Sequence, residues 1–340
     1  MRTPDLDPSF TAEARGSRFL VRGGWTVVAA AAITIAALLA ACSPADVPSQ
    51  SPVPSASAPA TDGSAFPLTL TDDEDTSVTI PARPQRIVSL TPGTTEILFA
   101  LGAGDRVLAT DSASDYPAAA QALPDVAEFG TVDVEKIVGL EADLVIAGGS
   151  GYTPPEGVTK LRSLGIPVVV VYAPTVAAVS DDIELVAASV GLADEGTALA
   201  DTVRGDLAAL AAATEGLPKP RTFYEVDATN EIYGPADDSF LAEMIELAGG
   251  SSVTSGSAES FEISLERLIV ADPEVIILGD AAFGTTAEVV ASRPGWDVIT
   301  AVRTGAVRVA DDKLITRPGP RLAQGLRSLI LALHPNVVLP

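Results

Sequence analysis

Two glutamates occupy matching positions in two similar stretches of the sequence. Glu135 lies in VDVEKIVGLEADLVIAG (132–148) and Glu266 in ISLERLIVADPEVIILG (263–279), and the two stretches align without a gap. Each pattern predicts a short helix, an acidic turn and an apolar strand. If the two stretches belong to two related lobes, the carboxylates lie far apart on one face and would be a docking feature rather than a catalytic pair. The alternative is that both are ordinary exposed helix carboxylates.

The only cysteine, Cys42, ends the tetrapeptide LAAC and follows a basic segment and an apolar run at residues 25–41. The run is short for a membrane span, and small residues close it, which is typical of a signal peptide. The sequence therefore predicts a signal peptide over residues 1–41 and a lipid on the Cys42 thiol after cleavage. A plain signal anchor with an incidental cysteine is the alternative. Residues 42–64, rich in Ser, Pro and Ala, predict a flexible tether.

The composition excludes several kinds of site. With one cysteine and one histidine, a single chain cannot form a disulfide, a thiol–imidazole pair or a cysteine–histidine zinc cluster. The formal net charge of -24 repels phosphate backbones, so nucleic-acid binding is not expected. The chain has no GxSxG elbow, no Walker A loop and no GxGxxG after a strand. These absences argue against an enzyme, and we expect no catalytic residues and no metal ligands.

Predicted strands and helices alternate on both sides of one long alanine-rich segment, for which we predict a single helix over residues 193–215. Its apolar stripe recurs at three- and four-residue steps and consists of Leu199, Val203, Leu207 and Leu210. Strands that read as continuous apolar runs between helices predict parallel sheets covered on both faces. The predicted fold class is α/β, with two doubly wound lobes at 65–174 and 219–340 and a helical linker at 175–218.

Three smaller expectations concern single residues or short runs. Thr94 is the predicted N-cap of the first helix of the folded region. The acidic run at residues 72–75 predicts a solvated turn between two short strands rather than a cation site, because no EF-hand spacing accompanies it. Trp296 is expected in the core.

Five segments of the chain resemble the iron-siderophore and cobalamin substrate-binding proteins of ABC importers, the class with a helical backbone between two lobes. The segments are RIVSLTPGTTEILFALGAGDRVLATDSASDYP (86–117), DVEKIVGLEADLVIAG (133–148), LRSLGIPVVVV (161–171), SLERLIVADPEVIILG (264–279) and TRPGPRLAQGL (316–326). The resemblance implies a monomeric, lipid-anchored extracytoplasmic receptor that holds its ligand in the cleft between the lobes. This receptor serves an ABC permease dimer with its ATPase subunits. It also implies that Glu135 and Glu266 each engage arginines of the permease.

The same resemblance implies which residues bind the ligand. Members of the family line the cleft with aromatic side chains and an occasional arginine, and the candidates here are Tyr116, Phe129, Tyr152, Tyr233 and Arg317. Aromatic faces suit a large, flat or aryl-bearing ligand, whereas an arginine suits carboxylates or an anionic iron chelate. Packing or a surface loop is the alternative for each candidate. Arg321 is expected to be structural.

The resemblance thus implies a cargo that is an iron-siderophore or a corrinoid such as cobalamin, with no intrinsic cofactor. Aromatic residues make up only 5% of the chain, which is low for a cobalamin clamp rich in tryptophan. A haem receptor of the same fold is the main alternative, with tyrosine as the iron ligand because the lone histidine, His334, lies near the terminus. A cell-surface sensor and an α/β enzyme are the remaining alternatives.

Overall fold

The computed structural model describes residues 66–128 and 130–340. The predicted signal peptide, Cys42, the tether and Phe129 lie outside the described residues. Within the described residues, no helix is long and apolar enough to span a membrane.

A two-stranded hairpin and a six-stranded sheet make up the N-terminal lobe. The strands are β1 Leu68–Thr71, β2 Ser77–Ile80, β3 Ile87–Ser89, β4 Val107–Asp111, β5 Asp125–Glu128, β6 Thr131–Val132, β7 Leu144–Gly148 and β8 Val168–Val171. The helices are α1 Pro92–Ala100, α2 Val134–Gly139 and α3 Pro155–Ser163. The hairpin pairs β1 with β2, and the larger sheet has the order β6-β5-β4-β3-β7-β8, in which only β6 pairs antiparallel to its neighbour.

Two helices, α4 Ala178–Ser189 and α5 Ala193–Ala212, connect this lobe to a second lobe built on a four-stranded parallel sheet. Its strands are β9 Arg221–Glu225, β10 Ser251–Ser252, β11 Val275–Leu278 and β12 Val307–Val309, in the order β10-β9-β11-β12. Its helices are α6 Phe240–Leu247, α7 Leu265–Ala271, α8 Ala287–Ala291, α9 Thr300–Thr304, α10 Asp312–Ile315 and α11 Leu322–Leu333.

Successive residues of the central strands enter different buried clusters, so both faces of each sheet are covered. In β7, Leu144 and Ile146 join one cluster, whereas Val145 points to another. In β11, Ile277 and Ile276 divide in the same way. This alternation is the expected consequence of side chains that point to opposite faces along a strand. The predicted α/β class is confirmed.

The long helix α5 is shorter than predicted. It ends at Ala212 rather than at residue 215, because the chain turns there and reaches a φ of +77° at Gly216. It also is not an isolated rod, since it packs against α4 and α11. A Cβ on Gly196 would collide with the Cβ of Ala187 in α4, so glycine allows α4 and α5 to approach closely.

One buried cluster extends through both lobes and the connecting helices. It contains Ile87 of β3, Leu207 of α5, Ile277 of β11 and Leu329 of α11, all buried. Because packed interiors resist deformation, this shared cluster fixes the lobes against the connecting helices.

Trp296 is buried as predicted, but the prediction that Thr94 is an N-cap is wrong. The N-cap is Thr91, whose Oγ1 accepts from the backbone N–H of Thr94 at 3.4 Å, and α1 begins at Pro92. Proline suits the first helical position because its missing N–H has no partner there in any case. Thr94 is instead buried, and its hydroxyl lies 2.7 Å from the Ser89 hydroxyl.

The acidic run does form a turn between β1 and β2, but its first residue is not solvated. Asp72 is buried and lies 2.6 Å from the guanidinium of Arg162 in α3. The other oxygen of its carboxylate accepts from the backbone N–H groups of Glu74 and Thr76, at 3.1 and 2.9 Å. The carboxylate thus exchanges water for an ion pair and turn hydrogen bonds, which offset the loss of solvation.

Candidate functional site

The carboxyl ends of the two parallel sheets face each other. Asp115, which follows β4, lies 2.6 Å from Arg317, which follows β12. Gly93, which follows β3, lies so close to Pro318 that a Cβ on the glycine would collide with the Pro318 carbonyl oxygen. These contacts place the cleft at the carboxyl edges of the strands, where open α/β sheets usually bind ligands.

A network of ion pairs joins the lobes at this contact. Glu96 of α1 is buried, and it accepts hydrogen bonds from Nε and Nη2 of Arg321 at 2.8 and 2.5 Å. Arg317 lies between two carboxylates, 3.6 Å from Glu96 and 2.6 Å from Asp115. Lys313 also pairs with Asp115. Partial burial raises the pKa of Asp115, but hydrogen bonds from Arg317 and Lys313 outweigh it and lower the pKa to about 2.

Tyr116 presents an aromatic surface above this network. Its ring lies over the guanidinium of Arg321, with 3.8 Å between the guanidinium carbon and the ring centroid, and the side chain stays 46% exposed. Arg321 therefore holds Tyr116 from one side while it pairs with Glu96 on the other. These contacts agree with the structural role predicted for Arg321. Ligand binding by Tyr116 stays a prediction.

Tyr152 and a second tyrosine, Tyr172, lie near each other in the segments that follow β7 and β8. The side chain of Tyr152 is 54% exposed. Desolvation by the surrounding protein and the nearby Tyr172 raise the pKa of its hydroxyl. A Cβ on Gly149 would touch Tyr172, so the glycine leaves room for that ring. Tyr172 was not predicted from the sequence, although its position directly after the VVVV strand was a usable signal.

Tyr233 lies in the loop after β9 and is partly exposed. Its backbone bonds to the backbone of Val226 and Asp227 at 2.9 and 2.8 Å, which fixes the loop beside the sheet. Phe261, half exposed, borders the same loop through a backbone hydrogen bond to Gly234. Neither Phe261 nor Phe283, which follows β11, was predicted from the sequence.

Arg317 is predominantly buried and its charge is engaged by the protein. In addition to the two carboxylates, its Nη2 donates to the carbonyl oxygen of Ala113 at 3.1 Å. Its role as a ligand contact stays a prediction, and any ligand anion at this point would compete with Glu96 and Asp115.

Glu135 and Glu266 are exposed in the first turns of α2 and α7. Asp133 and Ser264 cap these helices, each accepting from a backbone N–H three residues later, at 2.9 and 3.2 Å. The two caps are equivalent positions of the sequence repeat. Docking by the two glutamates stays a prediction.

The repeat continues in the hydrogen bonds around these helices. Asp143 accepts from the backbone N–H of Arg86 at 2.9 Å, and the equivalent Glu274 accepts from that of Arg221 at 3.0 Å. Both arginines donate from Nε to carbonyl oxygens at the ends of α2 and α7: Leu140 and Glu141 in one lobe, Ala271 and Asp272 in the other. The predicted internal repeat is therefore confirmed at the level of backbone and side-chain contacts.

The single histidine lies away from the cleft, with Nε2 of His334 3.1 Å from the carbonyl oxygen of Gly249. In the part of the chain that the structure describes, no group of three or more His, Cys, Asp or Glu side chains could hold a metal ion.

Comparison with known proteins gives one family and several relatives. The family model described as periplasmic binding protein matches residues 87–314. An uncharacterized ABC transporter substrate-binding lipoprotein of Bacillus subtilis (strain 168), YvrC, is 30% identical over 80% of this chain and 87% of its own length. The structure of the periplasmic vitamin B12 binding protein BtuF of Vibrio cholerae superposes with a TM-score of 0.65 at 29% identity, over 74% of this chain and 98% of BtuF. The periplasmic heme-binding protein RhuT of Roseiflexus sp. RS-1 superposes with a TM-score of 0.67 at 28% identity, over 74% and 98%.

Proposed function

Because the chain belongs to the periplasmic binding protein family, whose members serve ABC importers as substrate-binding proteins, we propose that it delivers a large, flat chelate of neutral or positive charge. Cobalamin or another corrinoid is the first candidate. A neutral or cationic ferric hydroxamate belongs to the same charge class. The protein acts as a monomer on the extracytoplasmic side of the membrane and performs no catalytic step.

The charge balance at the lobe contact carries this proposal. Lys313, Arg317 and Arg321 all pair with carboxylates, so their charges are neutralised before any ligand arrives. Further carboxylates occur in the loops that follow the strands of the C-terminal lobe: Asp227, Glu231, Glu262 and Asp311. Such a surface repels anions, which include the propionates of haem and the triply charged ferric catecholates.

Exposed aromatic rings support a flat or broad ligand. Tyr116, Tyr152 and Tyr233 are exposed at the carboxyl edges of the two sheets, and each offers apolar area with a polar tip. The amide side chains of a corrinoid would also find acceptors among the surrounding carboxylates. The similarity to the vitamin B12 binding protein of Vibrio cholerae agrees with this cargo.

Haem is the second candidate, because exposed tyrosine hydroxyls are suitable ligands for ferric iron. The similarity to the heme-binding protein RhuT supports it at the level of the fold and family. The acidic surroundings argue against it, since both propionates would need basic partners.

A titration of the purified protein tests the proposed cargo. Calorimetry or fluorescence quenching should compare cyanocobalamin, a neutral ferric hydroxamate, haemin and a ferric catecholate. We expect a neutral chelate to bind at least about tenfold more tightly than either anion, a difference of roughly 1.4 kcal/mol. Raising the salt concentration should reduce the difference in affinity between the neutral chelate and the anions, because salt screens the repulsion of the anions. Tightest binding of haemin or the catecholate would contradict the proposed charge class.

We also propose that Cys42 carries the lipid that holds the protein at the membrane, as the name of the Bacillus subtilis relative suggests. Changing Cys42→Ser removes the thiol to which the lipid is attached. The variant should carry no acyl chain, so no lipidated protein should be found in the membrane fraction. Ser43→Ala, which keeps the thiol, is the matched control and should stay membrane-bound. A Cys42→Ser protein that still incorporates labelled fatty acid would refute lipidation at this residue.

A further inference from the structure

We propose that Phe283 is a ligand contact of the C-terminal lobe and the structural counterpart of Tyr152 in the N-terminal lobe. This inference rests on the function proposed above, in which a flat ligand is held between the two lobes. It names an aromatic contact that the sequence patterns did not reveal.

The internal repeat places the two rings at equivalent positions. Tyr152 lies four residues after Gly148 and Phe283 lies four residues after Gly279, the two glycines that end the aligned stretches. The backbone repeats as well, because the N–H of Tyr152 donates to Gly149 at 2.8 Å and that of Phe283 donates to Asp280 at 2.9 Å. The equivalence is therefore one of chain geometry and not only of residue type.

Each loop is closed by a threonine, so neither ring depends on a mobile segment for its position. In the N-terminal lobe, the hydroxyl of Thr153 accepts from the backbone N–H of Gly148 at 3.0 Å. In the C-terminal lobe, the hydroxyl of Thr285 donates to the buried carboxylate of Asp280 at 2.6 Å. Gly284 has a φ of +103°, a conformation that glycine supplies without strain. Phe283 is thus presented at a fixed place by a short, closed turn.

Both loops lie at the carboxyl edges of the two sheets, the edges between which the lobes meet. They begin at the carboxyl ends of β7 and β11, and the carboxyl edges of the two sheets face each other through the Asp115–Arg317 contact. Phe283 is 92% exposed, more than Tyr152. A single exposed phenylalanine would need no explanation. An exposed phenylalanine on a hydrogen-bonded turn, at the site equivalent to an exposed tyrosine, indicates a surface that a ligand covers.

Binding measurements on variants of the full chain test this contact. The probes are cyanocobalamin and a neutral ferric hydroxamate, with the dissociation constant as the readout. Phe283→Ala should weaken binding of the chelate that the unmodified protein binds by about 10- to 100-fold, the range expected when a buried phenylalanine side chain is removed. Phe283→Trp should restore affinity to within about threefold, because it returns an aromatic face. Since Phe283 is exposed, neither change should disturb folding.

Val270→Ala is the matched control, because Val270 is 86% exposed in the same lobe but near the carboxyl end of α7, away from the cleft. It should bind like the unmodified protein. Equal affinity of Phe283→Ala and the unmodified protein would overturn the inference while the proposed function stands. Normal binding combined with lost uptake would also overturn it, since Phe283 would then contact the permease. An unmodified protein that binds neither probe refutes the proposed charge class and, with it, this ligand contact.

Discussion

Replacing both Glu135 and Glu266 with alanine should abolish uptake of the ligand while leaving its dissociation constant within about twofold. Both glutamates are exposed in the first turns of α2 and α7, one on each lobe. Truncating one partner of a buried intermolecular charge pair typically costs about 2–5 kcal/mol. If each glutamate meets an arginine of the permease, the loss of both weakens docking by a factor of roughly 1,000 or more.

The measurement pairs transport with binding. Uptake of the labelled ligand by cells or proteoliposomes measures whether the protein docks on the permease. Calorimetry on the same variants measures the dissociation constant of the ligand. Glu195→Ala combined with Glu215→Ala is the matched control, because it removes two exposed charges from the region of α5 and leaves both lobes unchanged. The control should transport normally. Normal transport by the Glu135→Ala, Glu266→Ala protein would eliminate the docking role.

The distance between the two glutamates is set by the packing of the connecting helices. Val203, Leu207 and Leu210 of α5 lie in the buried cluster that also contains residues of both sheets. The helix α11, from the C-terminal lobe, packs against α5, so the lobes share one interior. A change in the relative position of Glu135 and Glu266 would require this interior to repack, which packed cores resist.

The long, periodic elements could be predicted from the sequence because their patterns match the period of the structure. Helix α11 spans Leu322–Leu333, as the apolar periodicity predicts, and the VVVV run forms β8. The short strands β5, β6 and β10 went unpredicted. β6 and β10 contain only two residues each, and β5 has the sequence DVAE, which lacks the continuous apolar run of β8, so pairing with neighbouring strands determines all three.

The candidate site was harder to predict from the sequence than the fold, because its electrostatics depend on contacts between residues far apart in the chain. An arginine read from the sequence suggests an anionic ligand, but Arg317 meets Asp115 across 202 residues of chain. Only the fold shows that its charge is already balanced. Phe283 was missed for a different reason, since GDAAFG has neither a helical nor a strand period. Extending the repeat by four residues would have found it.

Among the ion pairs between the lobes, the pair of Glu96 with Arg321 is the one whose loss should destabilise the protein most. The Glu96 side chain is only 3% exposed, and Arg321 of the other lobe binds it through two nitrogens. Glu96→Ala leaves the guanidinium of Arg321 partly buried without its partner. Removing one member of a buried ion pair costs about 3–5 kcal/mol. A domain of this size loses roughly 2–4 °C of Tm per kcal/mol, so the Tm should fall by at least about 6 °C.

A double-mutant cycle separates the ion pair from the loss of side-chain volume. Glu96→Leu combined with Arg321→Leu should be less destabilised than Glu96→Leu alone, because the guanidinium of Arg321 is no longer left without its carboxylate, while Arg317 keeps Asp115 as a partner in both variants. The double variant should still bind the ligand more weakly than the unmodified protein, because Tyr116 has lost the guanidinium beneath its ring. Thermal unfolding and calorimetry measure the two effects separately, with Glu195→Ala as an exposed control. Additive losses of stability would show that Glu96 and Arg321 contribute independently, and that the pair does not clamp the lobes. A coupled loss, together with weaker binding in every variant that lacks Arg321, would mean that one guanidinium both joins the lobes and positions the aromatic surface for the ligand.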